Sequence, residues 1–119
     1  IKGLKNSLIC NSFHGGPDLK PKFDQLTLIR NLYANSLTLR RTGSTALDLA
    51  FVASGKLDAF LGYGMKVWDF AAGALLVREA GGFINDFNGE EDVFSTHNIV
   101  AGNMSCVKAI NQEIKKSFI

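Results

Sequence analysis

Three short stretches of this 119-residue chain carry side chains that could do chemistry. The first is Arg41-Thr42-Gly43-Ser44-Thr45-Ala46, where an alternating stretch runs into a helical one. A strand-to-helix junction gathers free backbone N–H groups and the positive end of a helix dipole, which suits an anion or sugar hydroxyls. Gly43 lets a ligand come close to the backbone. An ordinary helix capped by the Ser44 hydroxyl would look the same. The second stretch is Val67-Trp68-Asp69-Phe70-Ala71-Ala72-Gly73. Asp69 falls in the first turn of a helix, where the dipole favours a carboxylate, and its oxygens could hold a hard cation such as Mg²⁺. The plainer alternative makes Asp69 a cap and Trp68 a core residue. The third is Glu90-Glu91-Asp92 after the turn signal Asn88-Gly89; adjacent side chains in an extended segment diverge, so a solvated loop is expected there.

The remaining titratable residues give less. Asp48 and Asp58 stand alone and are expected to be structural or surface groups; His14 and His97 have no partner pattern and read as loop surface. Cys10 and Cys106 lie far apart without zinc-type spacing, so two buried thiols in a reducing, cytoplasmic setting are the expectation. The sequence contains no P-loop, nucleophile elbow or dinucleotide fingerprint.

The elements that must position these residues alternate in period. Ser7 to Cys10 reads as a strand and Asn11 to Lys20 as a loop. Phe23, Leu26, Ile29, Leu32 and Tyr33 recur at helical spacing, and Leu37 to Arg41 alternates like a strand. A helix from Ser44 is expected to end near Gly55, followed by a strand over Leu57 to Tyr63. A second helix from Trp68-Asp69 ends at Gly81-Gly82, and Phe83 to Phe87 and Ile99 to Ala101 read as strands. Ser105 is the expected cap of a last helix carrying Val107, Ile110 and Ile114. Such alternation implies an α/β fold, a sheet covered by helices, with no linker that divides the chain.

Composition narrows the function classes. Net charge is +2, with Arg40-Arg41 and Lys115-Lys116 the densest cationic pairs, which is too little for a nucleic-acid stripe. Direct nucleic-acid binding is therefore not expected. No apolar run nears the ~20 residues that span a bilayer. The first residue is Ile1, not Met, which suggests a piece of a longer protein.

Taken together, Gly43-Ser44-Thr45-Ala46-Leu47-Asp48-Leu49-Ala50, Gly55-Lys56-Leu57-Asp58-Ala59, Trp68-Asp69-Phe70-Ala71-Ala72-Gly73, Glu79-Ala80-Gly81-Gly82 and Asn98-Ile99-Val100-Ala101-Gly102-Asn103 resemble the C-terminal half of the inositol monophosphatase family. The resemblance is close from Leu37 onward and loose before it. The stretches Arg40-Arg41-Thr42-Gly43 and Trp68 to Gly73 look most similar to the bacterial extragenic-suppressor type. It implies a mixed sheet flanked by helices, the C-terminal part of an α-β-α-β-α sandwich, over residues 1–119. It also implies Mg²⁺-dependent hydrolysis of inositol 1-phosphate or a related sugar phosphate, with fructose bisphosphate and 3′-phosphoadenosine phosphates among the family's substrates.

In that comparison Asp69 matches a metal-holding aspartate, and Gly43, Ser44, Thr45 and Ala46 match the substrate-contacting segment. The family's other metal ligands lie on a glutamate and an Asp-Pro-(Ile/Leu)-Asp-Gly-Thr segment. No Asp-Pro occurs here, so the N-terminal metal-binding domain is expected to be absent and the fragment inactive alone. Animal members carry an inositol-contacting glutamate seven residues before the metal aspartate, where Gly62 stands. The resemblance further implies homodimers and, for bacterial members, a role in transcription and ribosomal RNA synthesis through protein partners.

Overall fold

The computed structural model describes residues 4–13 and 24–117. His14, Phe23 and residues 14–20 of the expected loop lie outside the described residues. Nine elements follow in order: β1 (Leu8–Phe13), α1 (Gln25–Asn35), β2 (Thr38–Arg40), α2 (Thr45–Ala53), β3 (Ala59–Tyr63), α3 (Val67–Glu79), β4 (Phe83–Asn85), β5 (Ile99–Gly102) and α4 (Met104–Lys116).

The five strands form one mixed sheet in the order β2-β1-β3-β5-β4. Strand β1 is parallel to both β2 and β3, whereas β5 runs antiparallel to β3 and β4. Period-two alternation divides the sheet into two apolar faces. Ile9, Ala59, Leu61 and Val100 face α1 and α4, where Leu28, Leu32, Ile110 and Ile114 close one core. Cys10, Phe60, Ile99 and Ala101 face α2 and α3, where Leu49, Phe70, Ala74 and Val77 close the other. Helices α2 and α3 touch through Gly73, where an added Cβ would lie 2.5 Å from the Leu49 side chain.

The expected α/β mixed sheet is present, with local differences that have physical causes. Strand β1 extends through Asn11 and Ser12, which are buried polar residues; the Asn11 side-chain amide donates to the Arg40 carbonyl at 3.2 Å. Strand β3 starts at Ala59 because Asp58 is engaged with Leu8 first. Its N–H donates to the Leu8 carbonyl and its Oδ2 accepts the Leu8 N–H at 2.7 Å. Strand β4 stops at Asn85, not Phe87, because Asp86 turns the chain: its Oδ1 accepts the Asn88 and Glu90 N–H groups at 2.8 and 2.9 Å.

The cap of α4 is Asn103, whose Oδ1 accepts the Cys106 N–H at 2.8 Å; this corrects the expectation for Ser105. Asparagine and serine cap equally well, so spacing alone did not separate them. Trp68 is also not a core residue: it is 80% exposed, and Phe70 takes the inward place on α3. Cys10 and Cys106 are both buried and not joined in a disulfide, and Glu90-Glu91-Asp92 is exposed.

Candidate functional site

The carboxyl ends of the three parallel strands β1, β2 and β3 face one side of the molecule. In open α/β sheets this is the edge at which ligands bind. Two helices start at this edge, α2 after β2 and α3 after β3.

The α2 junction is held from below. Gly43 has a φ of +86°, a left-handed conformation that glycine adopts without strain. Ser44 is the N-cap and its Oγ accepts the Leu47 N–H at 3.3 Å. The Ser44 N–H donates to Thr42 Oγ1 at 3.2 Å, and the Thr42 hydroxyl donates to Asp48 Oδ1 at 2.6 Å. Gly43, Ser44 and Ala46 are exposed, whereas Thr45 is buried with its hydroxyl 3.8 Å from Met65 Sδ.

Asp48 is fully buried and forms no ion pair within 4.0 Å among the described residues. Burial pushes its pKa above the usual carboxylate range, against the hydrogen bond from Thr42 and the neighbouring Cys10 thiol, a weak donor. Oδ2 has no further partner. The Cys10 thiol is itself pushed up to about 11, by burial first and then by the Asp48 charge. It is therefore a neutral thiol and no nucleophile at neutral pH.

At the α3 junction, Asp69 is half-buried at the third helical position and its Oδ2 accepts the Lys66 N–H at 3.1 Å. The preceding residues are locked to another loop by a reciprocal pair. The Met65 N–H donates to the His97 carbonyl at 3.0 Å, and His97 Nδ1 lies 2.9 Å from the Met65 carbonyl. A carbonyl only accepts, so Nδ1 carries the proton in that contact. A Cβ added at Gly62 would lie 2.3 Å from Met65 Sδ, so a side chain there requires the methionine to shift.

Met65 thus links the two junctions, with its sulfur toward Thr45 and its backbone toward His97. Thr42, Asp48, Met65 and His97 complete the arrangement; the sequence reads Thr42 only as part of the junction, Asp48 as structural or surface and His97 as loop surface, and gives Met65 no role. Only Asp48, four residues after the Ser44 cap, carried a positional hint. The fit to Mg²⁺ is incomplete within this chain. Asp69 is a single carboxylate, and among the described residues no group of three or more His, Cys, Asp or Glu is placed to hold an ion. A magnesium centre needs several converging oxygens.

Comparison with known proteins bears on the same residues. Residues 3–118 match the model of the inositol monophosphatase family. The Nus factor SuhB of Escherichia coli K12 is 52% identical over 85 residues, which are 71% of this chain and 32% of that protein. The inositol-1-monophosphatase of Mesorhizobium japonicum is 46% identical over 116 residues, 98% of this chain and 43% of that protein. Among solved structures, the extragenic suppressor protein suhB from Bartonella henselae superimposes with a TM-score of 0.88 at 38% identity. That alignment covers 98% of this chain and 44% of the other. The inositol monophosphatase from Anabaena superimposes with a TM-score of 0.85 at 29% identity, covering 98% and 47%. The chain therefore spans less than half the length of the relatives it matches. With the strand order, the two helix junctions and the match across nearly all of its residues, the chain belongs to the inositol monophosphatase family and is similar to its SuhB-type members.

Proposed function

We propose that this chain is the substrate-binding, C-terminal α/β domain of a Mg²⁺-dependent phosphate-monoester phosphatase, cytoplasmic and homodimeric as the full-length protein. Its substrate would be inositol 1-phosphate or a related sugar phosphate. The observation that supports this best is the convergence of the α2 and α3 N-termini at the carboxyl edge of the parallel strands, tied together through Met65. Positive helix ends and exposed backbone around Gly43 and Ser44 suit a phosphate and its sugar hydroxyls. Ser44 and Thr45 supply hydroxyls, and Gly43 and Ala46 supply backbone without bulk.

The family is generally metal-dependent. Asp69 is proposed as this domain's contribution to the metal site. Because one carboxylate does not make that site, the fragment alone is proposed to be inactive, and no step of hydrolysis is assigned to its residues. The remaining ligands belong to an N-terminal domain outside this sequence.

The test is Mg²⁺-dependent phosphate release from inositol 1-phosphate, run on this chain and on the full-length product of its gene. Release by the full-length protein alone is the expected result. Asp69→Asn in the full-length protein should lower turnover by about 100-fold or more, the scale seen when a transition-state contact is lost. Unchanged turnover would remove Asp69 from the metal site.

A second reading is favoured by the relatives named Nus factor SuhB, at 42–53% identity. In that reading the domain binds proteins of the transcription machinery. Capture of such proteins by the full-length product, with no phosphate release from any sugar phosphate, would support it over the first.

A further inference from the structure

Packing does not hold the centre of the α2 junction. Gly43 sits in open space: a Cβ added there would meet nothing within 4 Å, and its neighbours Thr42 and Ser44 are exposed. Glycine has the freest backbone of all residues, so a loop centred on it stays in one arrangement only where its flanks are tied. Two hydrogen bonds supply the tie. The Thr42 hydroxyl donates to Asp48 Oδ1 at 2.6 Å, and the same oxygen accepts the Ser44 N–H at 3.2 Å, across Gly43.

These bonds have a direction. A hydroxyl has one proton to give, and Asp48 takes it, which leaves the lone pairs of Thr42 Oγ1 for the Ser44 N–H. Asp48 is fully buried in the first turn of α2, so the anchor does not move with the loop. Stability alone does not account for a carboxyl at this place. It has no ion pair among the described residues, Oδ2 has no partner, and burial raises its pKa. Ionisable groups kept at such a cost gather at functional sites.

The tie determines what the junction offers to a ligand. The Leu47 N–H is taken by Ser44 Oγ and the Asp48 N–H by the Ser44 carbonyl. The N–H groups of Gly43, Thr45 and Ala46 have no partner among the described residues. We propose that Asp48 and Thr42 are positioning residues for substrate binding: Asp48 orients the Thr42 hydroxyl, and Thr42 holds Gly43 and Ser44 in the arrangement that presents these N–H groups to the phosphate ester. The proposal rests on the phosphatase reading. Both residues act through the backbone of Gly43 and Ser44. Donors ordered in advance spare the ester the entropy of ordering them, so loss of the tie weakens binding more than it slows chemistry.

The test is the kinetics of phosphate release from inositol 1-phosphate by the full-length protein with Mg²⁺. Asp48→Ala and Thr42→Val should each raise KM by about three- to tenfold, the scale of one lost hydrogen bond, with kcat changed by less than about twofold. Asp48→Asn keeps the acceptor and Thr42→Ser keeps the donor, and each should hold KM within about twofold of the unmodified value. Because the two residues act through one bond, the double variant Asp48→Ala with Thr42→Val should raise KM no further than either change alone. A purely structural role would lower the active fraction, and with it kcat, at constant KM. Thr42 is exposed, so Thr42→Val reads the tie even if Asp48→Ala does not fold. Amide exchange at Ser44 follows the same bond without turnover; it should quicken in Thr42→Val and not in Thr42→Ser. Unmoved KM or unmoved exchange in Thr42→Val, or additive effects in the double variant, would overturn the positioning role while phosphate release kept the phosphatase reading. No release from any sugar phosphate by the unmodified protein would overturn both.

Discussion

Helices α3 and α4 are both 13 residues long and lie on opposite faces of the same sheet, yet their outer surfaces differ. Helix α4 turns Cys106, Val107, Ile110 and Ile114 inward and Lys108, Gln112, Lys115 and Lys116 outward. Helix α3 buries Phe70, Gly73, Ala74 and Val77, but presents Trp68, Leu75 and Leu76 on its other side. One helix is built to separate core from water. The other is apolar nearly all round, a pattern of helices covered on both sides. The apolar outer surface goes with the functional edge, since α3 and α2 are the helices whose N-termini form the candidate site. It also agrees with a chain spanning 43% of the Mesorhizobium relative, which has further chain to provide a cover.

The comparison breaks most visibly under truncation. Ile110 on α4 is fully buried, so Ile110→Ala removes apolar contact and leaves a cavity at a cost of about 2–5 kcal/mol. Leu75 on α3 is 60% exposed, and Leu75→Ala should stay within about 0.5 kcal/mol in the isolated chain. Urea denaturation of the two variants checks this. A large loss at Leu75 would mean that α3 already has its cover within these residues.

These contrasts show what the sequence could reveal. Helix α4 was legible because Val107, Ile110 and Ile114 keep one register against lysines, so pattern and burial coincide. The inward side of α3 was not, because Trp68, Phe70, Leu75, Leu76 and Val77 are all apolar and periodicity cannot choose among them. Trp68 was misplaced for that reason. The site was half legible. The Ser44 cap and Asp69 in the first turn of its helix follow from local residue types, as found. The Thr42–Asp48 bond, the Thr45–Met65 contact and the Met65–His97 pair join residues 6, 20 and 32 positions apart, which no local rule links. Asn11 and Ser12 were lost from β1 because polar residues in a buried strand end look like a loop until their partners are known.

Asp48 sharpens the comparison at the level of charge, because the α2/α3 side buries a carboxylate with no cationic partner within ion-pair distance among the described residues. Its pKa in the folded chain lies above the ordinary 3.8. A carboxyl shifted in that direction contributes fully to stability below its unfolded value. The contribution is lost as pH rises through the folded value, so burial of this carboxyl makes the chain less stable as pH rises. Asp48→Asn keeps an acceptor for the Thr42 hydroxyl without the charge, so its stability relative to the unmodified chain should improve between pH 3 and pH 7. Asp48→Ala removes the same carboxyl but takes the acceptor from the Thr42 hydroxyl as well, so it should be less stable than Asp48→Asn at both pH values. Denaturation curves at the two pH values read both outcomes. A pH-independent difference for Asp48→Asn would show that the carboxyl does not titrate differently in the folded chain.

The smallest effect on stability should accompany a large effect on association. Trp68 and Leu75 lie seven residues apart on α3, two helical turns, and share its outer surface. In the isolated chain, water meets this surface, and apolar patches of that kind drive self-association. Replacing both residues, Trp68→Lys with Leu75→Lys, removes the patch and adds two like charges, while neither position belongs to the core. The double variant should keep its urea midpoint within about 0.5 kcal/mol of the unmodified chain, as surface changes usually do. Sedimentation at high concentration should shift from associated species to monomer. The same two lysines in the full-length protein should be costly, by at least about 2 kcal/mol, because there each would be a buried, unpaired charge. If the double variant were equally harmless in both forms, the outer side of α3 would be a water-facing surface like that of α4, and the difference between the two helices would be one of composition alone.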